Sequence, residues 1–146
     1  MSFDVFLIPS SGSPPAAHFE AEVRAAIVAT GGRAPAGDGI MQTSDGAEFE
    51  LFGGSMFALH GLTPSICVVI YRAAARTNAY VIPTGADGLP SLKVKGTTGV
   101  APKGVESVKV VADPQALCAV LEQGYRGWRG FADHVHATLN PPTGPR

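Results

Sequence analysis

The stretch that decides the fold is Pro114–Leu139, which reads PQALCAVLEQGYRGWRGFADHVHATL. Its apolar residues recur at steps of three and four, so at about 100° per residue they form one stripe of a helix. The stripe comprises Leu117, Val120, Leu121, Gly124, Tyr125, Trp128, Phe131, Ala132, Val135 and Leu139. The opposite side carries Glu122, Arg126, Arg129 and Asp133. Such a helix needs a wide apolar surface to lie against, so the segment predicts a packed globular domain.

Within this helix, the run GYRGWRGF at 124–131 mixes glycine, arginine and aromatic residues. RNA-binding segments share that composition, because bases stack on exposed aromatic rings. Helical geometry instead puts Tyr125, Trp128 and Phe131 on the apolar stripe with the leucines, where bases could not reach them. Gly124 lies in the middle of the stripe and is predicted to let another backbone approach closely. Core packing is therefore favoured, and nucleic-acid binding is the weakest functional hypothesis.

The rest of the chain predicts short strands separated by helices and turns. Apolar runs rich in β-forming residues predict strands at 3–8, 47–52, 55–59, 79–82, 92–95 and 105–111, the last near a sheet edge. A first helix is expected to start at 13–14 and to stop at the glycines 31–32. Glycines 53–54 predict a two-residue hairpin turn. Asp113 is predicted to cap the final helix.

The stretch 63–78 is ambiguous from the sequence alone. Its Ile and Val residues favour a strand by local preference. The dipeptide Thr63-Pro64 instead resembles a cap followed by a first-turn proline, and the apolar residues keep helical spacing up to Asn78, a plausible stop. We interpret the stretch as a helix, because several consecutive periods outweigh a weak propensity.

This order of elements predicts an α+β fold. We expect a split βαβ (ferredoxin-like) two-layer sandwich with an extra strand and a long C-terminal helix. The chain has 146 residues, of which 45% are hydrophobic and 16% charged, so it has the size of one domain and is too apolar to be disordered. We expect a single domain over 1–139 and a flexible Pro-rich tail over 140–146.

Cysteine use and the N-terminus predict a cytoplasmic protein. Cys67 and Cys118 lie in apolar stretches, which indicates small buried side chains in a reducing compartment, although the spacing leaves a disulfide open. The opening MSFD has no basic segment typical of a secretory signal, and the longest apolar run, 66–71, is too short to span a bilayer. We expect no membrane partner.

The lysines give the clearest candidate for a binding surface. Acidic residues dominate positions 1–50, whereas every lysine lies between positions 93 and 109. Lys93, Lys95 and Lys103 lie on or beside a long Gly/Thr/Pro-rich loop over 84–104, and long loops in compact domains are often functional. A basic patch would attract a charged protein partner. The equally weighted alternative is that the lysines keep the loop soluble and protect an edge strand.

A second candidate site is the turn between the first strand and the first helix. It consists of Ser10, Ser11, Gly12 and Ser13. Backbone N–H groups at a helix start can bind an anion, but the turn lacks the lysine and glycine spacing of a phosphate loop, so this candidate is weak. His60, at the end of a predicted strand, could serve as a general base. The alternative function is therefore a small-ligand-binding protein or enzyme with a cleft near this turn and His60.

Neither a metal site nor a catalytic constellation is predicted. His134 and His136 lie two residues apart, so on a helix they diverge by about 200° and cannot share an ion. The two cysteines have no base beside them in the predicted helices. We therefore assign no catalytic residue, no metal and no cofactor, and predict a non-catalytic protein.

Two short segments resemble small stand-alone bacterial proteins of unknown function. They are the opening MSFDVFL and the later LEQGYRGW. Some proteins of this size and α+β character are immunity proteins, which neutralise toxins. The resemblance covers a small part of the chain and transfers no functional residue. With the lysine cluster, it favours a protein-binding module, such as an immunity protein, as the first hypothesis. We expect this module to contact its partner through complementary charge over the loop 84–103.

Overall fold

The computed structural model describes residues 3–10, 16–35, 40–52, 56–84, 89–105 and 107–139, with side chains except at 16–18 and 130–139. The predicted helix start at 13–14, the turn glycines 53–54 and the tail 140–146 lie outside the described residues, as do the side chains of His134 and His136.

The described residues form seven strands and three helices. They are β1 Phe3–Pro9, α1 Ala16–Ala29, β2 Met41–Gln42, β3 Glu48–Phe52, β4 Met56–Leu59, α2 Pro64–Thr77, β5 Ala79–Pro83, β6 Ser91–Val94, β7 Val108–Val111 and α3 Pro114–Leu139. The predicted α+β class is confirmed. Each predicted strand is present with shifted bounds, and β2 is an addition that no sequence pattern predicted.

The strands form one mixed sheet in the order β2-β3-β4-β1-β5-β6-β7. Neighbouring strands are antiparallel except β6 and β7, which run parallel. The hairpin of β3 and β4 is confirmed, but Phe52 pairs with Met56, so three residues separate the strands rather than the predicted two. The sheet is larger than predicted because β2 extends one edge while β6 and β7 extend the other.

Burial alternates along the central strand β1. Phe3, Val5 and Leu7 are buried in the hydrophobic core, whereas the residues between them are half-buried. The core joins these side chains to apolar residues of all three helices, which are Phe19, Val23, Ala26, Ile27, Ile66, Cys67, Val69, Ile70, Ala73, Ala74, Leu117, Val120 and Leu121. One set of alternate strand residues therefore meets the helices.

The ambiguous stretch is the helix α2, as we interpreted it. Pro64 occupies the first turn, and the buried residues keep the predicted helical spacing. The helix ends at Asn78, whose φ of 54° is left-handed and whose N–H bonds to the carbonyl of Ala74. Burial of one helical face against the sheet outweighs the β-propensity of the Ile and Val residues. Thr63 occupies the N-cap position with an extended backbone, as predicted, but its side chain makes no capping hydrogen bond.

The long C-terminal helix α3 is confirmed, together with its cap. The N–H of Ala116 donates to Oδ1 of Asp113 at 2.8 Å. Tyr125 and Trp128 pack against the core, and Tyr125 lies edge-on to Phe3 with ring centroids 5.9 Å apart. A Cβ at Gly124 would stand 2.6 Å from the carbonyl oxygen of Thr84, so the predicted close backbone approach is also confirmed.

The expectation of two reduced cysteines is wrong. Cys67 and Cys118 form a disulfide between α2 and α3, with Cα atoms 5.4 Å apart. Both residues lie near the N-terminal ends of their helices, and the packing of α2 against α3 brings them together across 51 positions of sequence. Disulfides persist in oxidising compartments, so the pairing removes the cysteine argument for a cytoplasmic location. That location stays a prediction.

Candidate protein-binding surface

Strand β7 lies at one end of the sheet order and pairs with β6 alone among the described strands. Its sequence, VKVV, is typical of a strand, because β-branched residues suit the pleated sheet. Val111 is fully buried, whereas Val108 and Val110 are 40% and 59% exposed. The edge of β7 that faces away from β6 therefore offers backbone hydrogen-bonding groups beside two exposed valines.

The lysines surround this edge on both sides of the sheet. Lys93 lies on β6 in register with Val110, whereas Lys109 lies on β7 in register with the buried Leu92. Register partners share a face, so Lys93 and Lys109 project to opposite faces. Lys95 and Lys103 are exposed in the connection between the two strands. We call β6, β7, the connection 95–105 and the four lysines the basic edge.

Hydrogen bonds anchor one end of this connection to the body of the domain. The N–H of Thr98 donates to Oδ1 of Asn78 at 2.8 Å, and Nδ2 of Asn78 donates to the carbonyl oxygen of Thr98 at 2.7 Å. Nδ2 of Asn78 also donates to Oγ of Ser10 at 2.7 Å. Asn78 thus ends α2 and positions the loop that leads to Lys103.

Ser10, the one described residue of the predicted anion-binding turn, lies inside this anchor. It is 2% exposed, and its Oγ lies 2.6 Å from the carbonyl oxygen of Asn78 and 3.0 Å from that of Thr98. The hydroxyl of Ser10 is therefore occupied by the protein itself. Ser11, Gly12 and Ser13 lie outside the described residues, so anion binding there stays a prediction.

His60 lies far from that turn. It follows β4, whose last residue, Leu59, pairs with Phe3 at the start of β1, whereas Ser10 follows the end of β1. At about 3.3 Å per residue, the length of β1 separates the two by about 20 Å. The structure therefore does not bring Ser10 and His60 into one cleft. Nε2 of His60 instead lies 3.3 Å from Oε1 of Glu50 on the neighbouring strand.

Sequence reasoning missed the role of Asp45, which follows β2. Its Oδ1 accepts hydrogen bonds from the hydroxyls of Thr43 at 2.6 Å and Thr63 at 2.8 Å, and its Oδ2 accepts one from the N–H of Ser65 at 3.2 Å. Slight burial raises the pKa of Asp45, but these hydrogen bonds outweigh it and lower the pKa from 3.8 to about 2. Asp45 therefore caps α2 from a distant turn.

The part of the chain that the structure describes also has open grooves on its surface. One groove of about 400 Å³ lies beside the disulfide and is lined by Leu62, Thr63, Pro64, Cys118, Glu122, Tyr125 and Arg126. Within the described ranges, no three side chains of His, Cys, Asp or Glu lie together as metal ligands would.

Comparison with known proteins identified no relative. The chain matches no family model, no curated protein and no solved structure. In the part of the chain that the structure describes, none of the helices combines the length and apolar character of a membrane span.

Proposed function

We propose that this protein is a non-catalytic protein-binding module whose basic edge contacts an acidic segment of another protein. The observation that carries the proposal is the edge strand β7, which exposes Val108 and Val110 beside four lysines. An extended segment can add to such an edge through main-chain hydrogen bonds, while its alternate side chains contact the valines. Immunity-type neutralisation of a toxin is one function that such a surface would serve.

The lysines select the charge of the partner. Those at a sheet edge commonly protect it from non-specific strand addition. The same charges attract a segment rich in Asp and Glu, because complementary charge accelerates encounter and penalises the wrong partner. Protection and selection are therefore compatible, since a neutral or basic strand would be rejected and an acidic one accepted.

The anchored loop supports the proposal energetically. Ordering a flexible loop on binding costs free energy, and preorganisation reduces that cost. Because Thr98 is fixed to Asn78, part of the connection that carries Lys95 and Lys103 is already held before a partner arrives.

We further propose that β1, α1, β3, β4, α2 and β5 form a ferredoxin-like split βαβ unit within a two-layer sandwich. The order β3-β4-β1-β5, antiparallel throughout, supports this, as does the core that α1 and α2 share with alternate strand residues. Strands β6 and β7 then extend the unit and provide the binding edge.

The proposal is tested by reversing charge on the loop. The partner is captured from the native cell with the tagged protein, purified, and titrated against wild type and a Lys95→Glu/Lys103→Glu variant. We expect binding to weaken about tenfold or more and its salt dependence to fall, because attractive pairs become repulsive. The matched control is Arg72→Glu/Arg126→Glu, which makes the same charge change on the helices.

Amide hydrogen exchange adds a test of the binding mode. Strand addition predicts slower exchange at 108–111 in the complex. Unchanged affinity and salt dependence in the lysine variant would refute the basic edge as the contact surface. Weakened binding without protection of β7 would keep the lysines and reject strand addition.

A further inference from the structure

The face of the sheet that turns away from the core carries a row of apolar side chains. Strand registers pair Phe52 with Met56, Met56 with Phe6, and Phe6 with Ile82, so these residues lie side by side across four strands. Ser91 on β6 lies level with Ile82, because Leu92 pairs with Val81. Val108 on β7 pairs with Ser91, so this serine separates Val108 from the row. We call this face of the sheet the outer face.

The apolar row is partly accessible, whereas Ala58 and Tyr80 on the same face are buried. Phe52 is 50% exposed, and Phe6, Met56 and Ile82 are half-buried. None of these side chains belongs to the core that the described parts of α1, α2 and α3 share with the sheet. Apolar side chains grouped on the surface of a folded domain are typical of a contact with another molecule.

Charges of opposite sign flank the apolar row at opposite corners of the outer face. Glu50 pairs with Ala58, which in turn pairs with Asp4 of β1, so Glu50 lies at the level of Asp4. Lys93 pairs with Tyr80, which in turn pairs with Ile8 of β1, so Lys93 lies at the level of Ile8. Four strand spacings separate β3 from β6, or about 19 Å across the sheet, and four residues along β1 add about 13 Å in the strand direction. The acidic and basic corners therefore lie on a diagonal.

We propose that the outer face binds a second copy of this chain, outer face to outer face, in a two-fold symmetric dimer. A two-fold axis between the two sheets, perpendicular to the line from Glu50 to Lys93, exchanges the corners. Each Glu50 then faces the second copy's Lys93, and the two apolar rows cross at the centre. Homodimers with two-fold symmetry need a self-complementary surface, and this face meets that condition in both charge and hydrophobicity.

Charge also selects the orientation of the dimer. An axis that placed acidic corner over acidic corner would oppose like charges at the rim of the interface, which disfavours that arrangement. A different protein with a uniformly basic or uniformly acidic surface would be attracted to one corner of the face and repelled by the other. The second copy satisfies both corners at once, which is why we infer it as the occupant.

The outer face shares Lys93 and Val108 with the basic edge, so the dimer and the partner contact overlap there. The two proposals are tested separately, because the partner test reverses Lys95 and Lys103, which lie in the connection between β6 and β7. Sedimentation equilibrium of the purified chain is expected to show a reversible monomer–dimer equilibrium. Glu50→Lys and Lys93→Glu should each raise the dimer dissociation constant by about tenfold, and the double variant should restore it, since reversing both charges recreates the attractive pair. Arg72→Glu is the matched control and should leave the constant unchanged.

A further variant is needed as a control for a folding defect, because Glu50→Lys also removes the contact of Glu50 with His60. Phe52→Ser changes an exposed residue of the apolar row, so it should weaken the dimer while preserving the circular dichroism spectrum. A wild-type chain that stays monomeric at millimolar concentration overturns the proposal. A dimer that is insensitive to Phe52→Ser and to both charge reversals also overturns it, since another surface would then hold the copies together.

Discussion

The two helices α2 and α3 begin alike in the sequence and differently in the structure. Each has proline at its first position, preceded by a residue that can cap. Asp113 caps α3 locally, through the N–H of Ala116, whereas the N–H of Ser65 in α2 bonds to Asp45 from a turn 20 positions earlier. The same sequence pattern at a helix start can therefore be capped by a neighbouring residue, as in α3, or by a residue distant in the sequence, as in α2.

The disulfide joins these two helices, and removing it should have the largest effect on stability. A cross-link between positions 51 apart restricts the unfolded chain, and closing a loop of about 50 residues stabilises by about 4 kcal/mol in the chain-entropy model. We expect Cys67→Ala/Cys118→Ala to lower the free energy of unfolding by about 2 to 4 kcal/mol in urea titrations. Reductant should destabilise wild type and leave the double variant unchanged. Equal stability of the two proteins would contradict the pairing.

Gly124→Ala tests whether α3 depends on close tertiary contact as well as on its local cap. Alanine stabilises a helix relative to glycine by about 1 kcal/mol when nothing else intervenes. Here the new Cβ would meet the carbonyl oxygen of Thr84 at 2.6 Å, so we expect a net loss of about 2 kcal/mol, because the backbone must move. Gly61→Ala, with nothing within 4 Å, is the control and should be close to neutral. A stabilised Gly124→Ala variant would refute the close packing.

Replacing the two capping aspartates compares the helices directly. Asp113→Ala should cost about 1 kcal/mol, the usual value for a lost cap. Asp45→Ala should cost more, because it removes a cap together with the acceptor for Thr43 and Thr63. Thermal unfolding of both variants measures the difference. If Asp45→Ala is the milder change, the tertiary cap does not contribute as we infer.

The smallest expected effect is the pH dependence of the tertiary cap. The pKa of Asp45 is lowered from 3.8 to about 2 in the folded state, so its carboxylate stabilises the fold above pH 3.8. That contribution is lost as the pH falls from 3.8 towards 2. The stability difference between wild type and Asp45→Asn should therefore be largest near neutral pH and shrink over this window. A difference that stays constant down to pH 2 would show that ionisation of Asp45 is not involved.

Local patterns predicted most of the elements. Helical spacing located α2 and α3, apolar runs located β1, β5 and β6, and Gly31, with a φ of 84°, follows α1 as predicted. Strand β2 was missed because two residues, Met41 and Gln42, are too few to show a period. The lysines and the edge position of β7 were predicted from the sequence, but the parallel pairing of β7 with β6 became apparent only from the strand order.

What the sequence alone determined is therefore where helices and strands form, since periodicity and end signals act over a few residues. The tertiary structure alone decided which distant groups meet: Cys67 with Cys118, Asp45 with the start of α2, and Thr98 with Asn78 and Ser10. It also decided which side chains form the outer face and how β2, β6 and β7 extend the sheet. Pairing between elements depends on packing the whole chain around one core, and no local pattern contains that information.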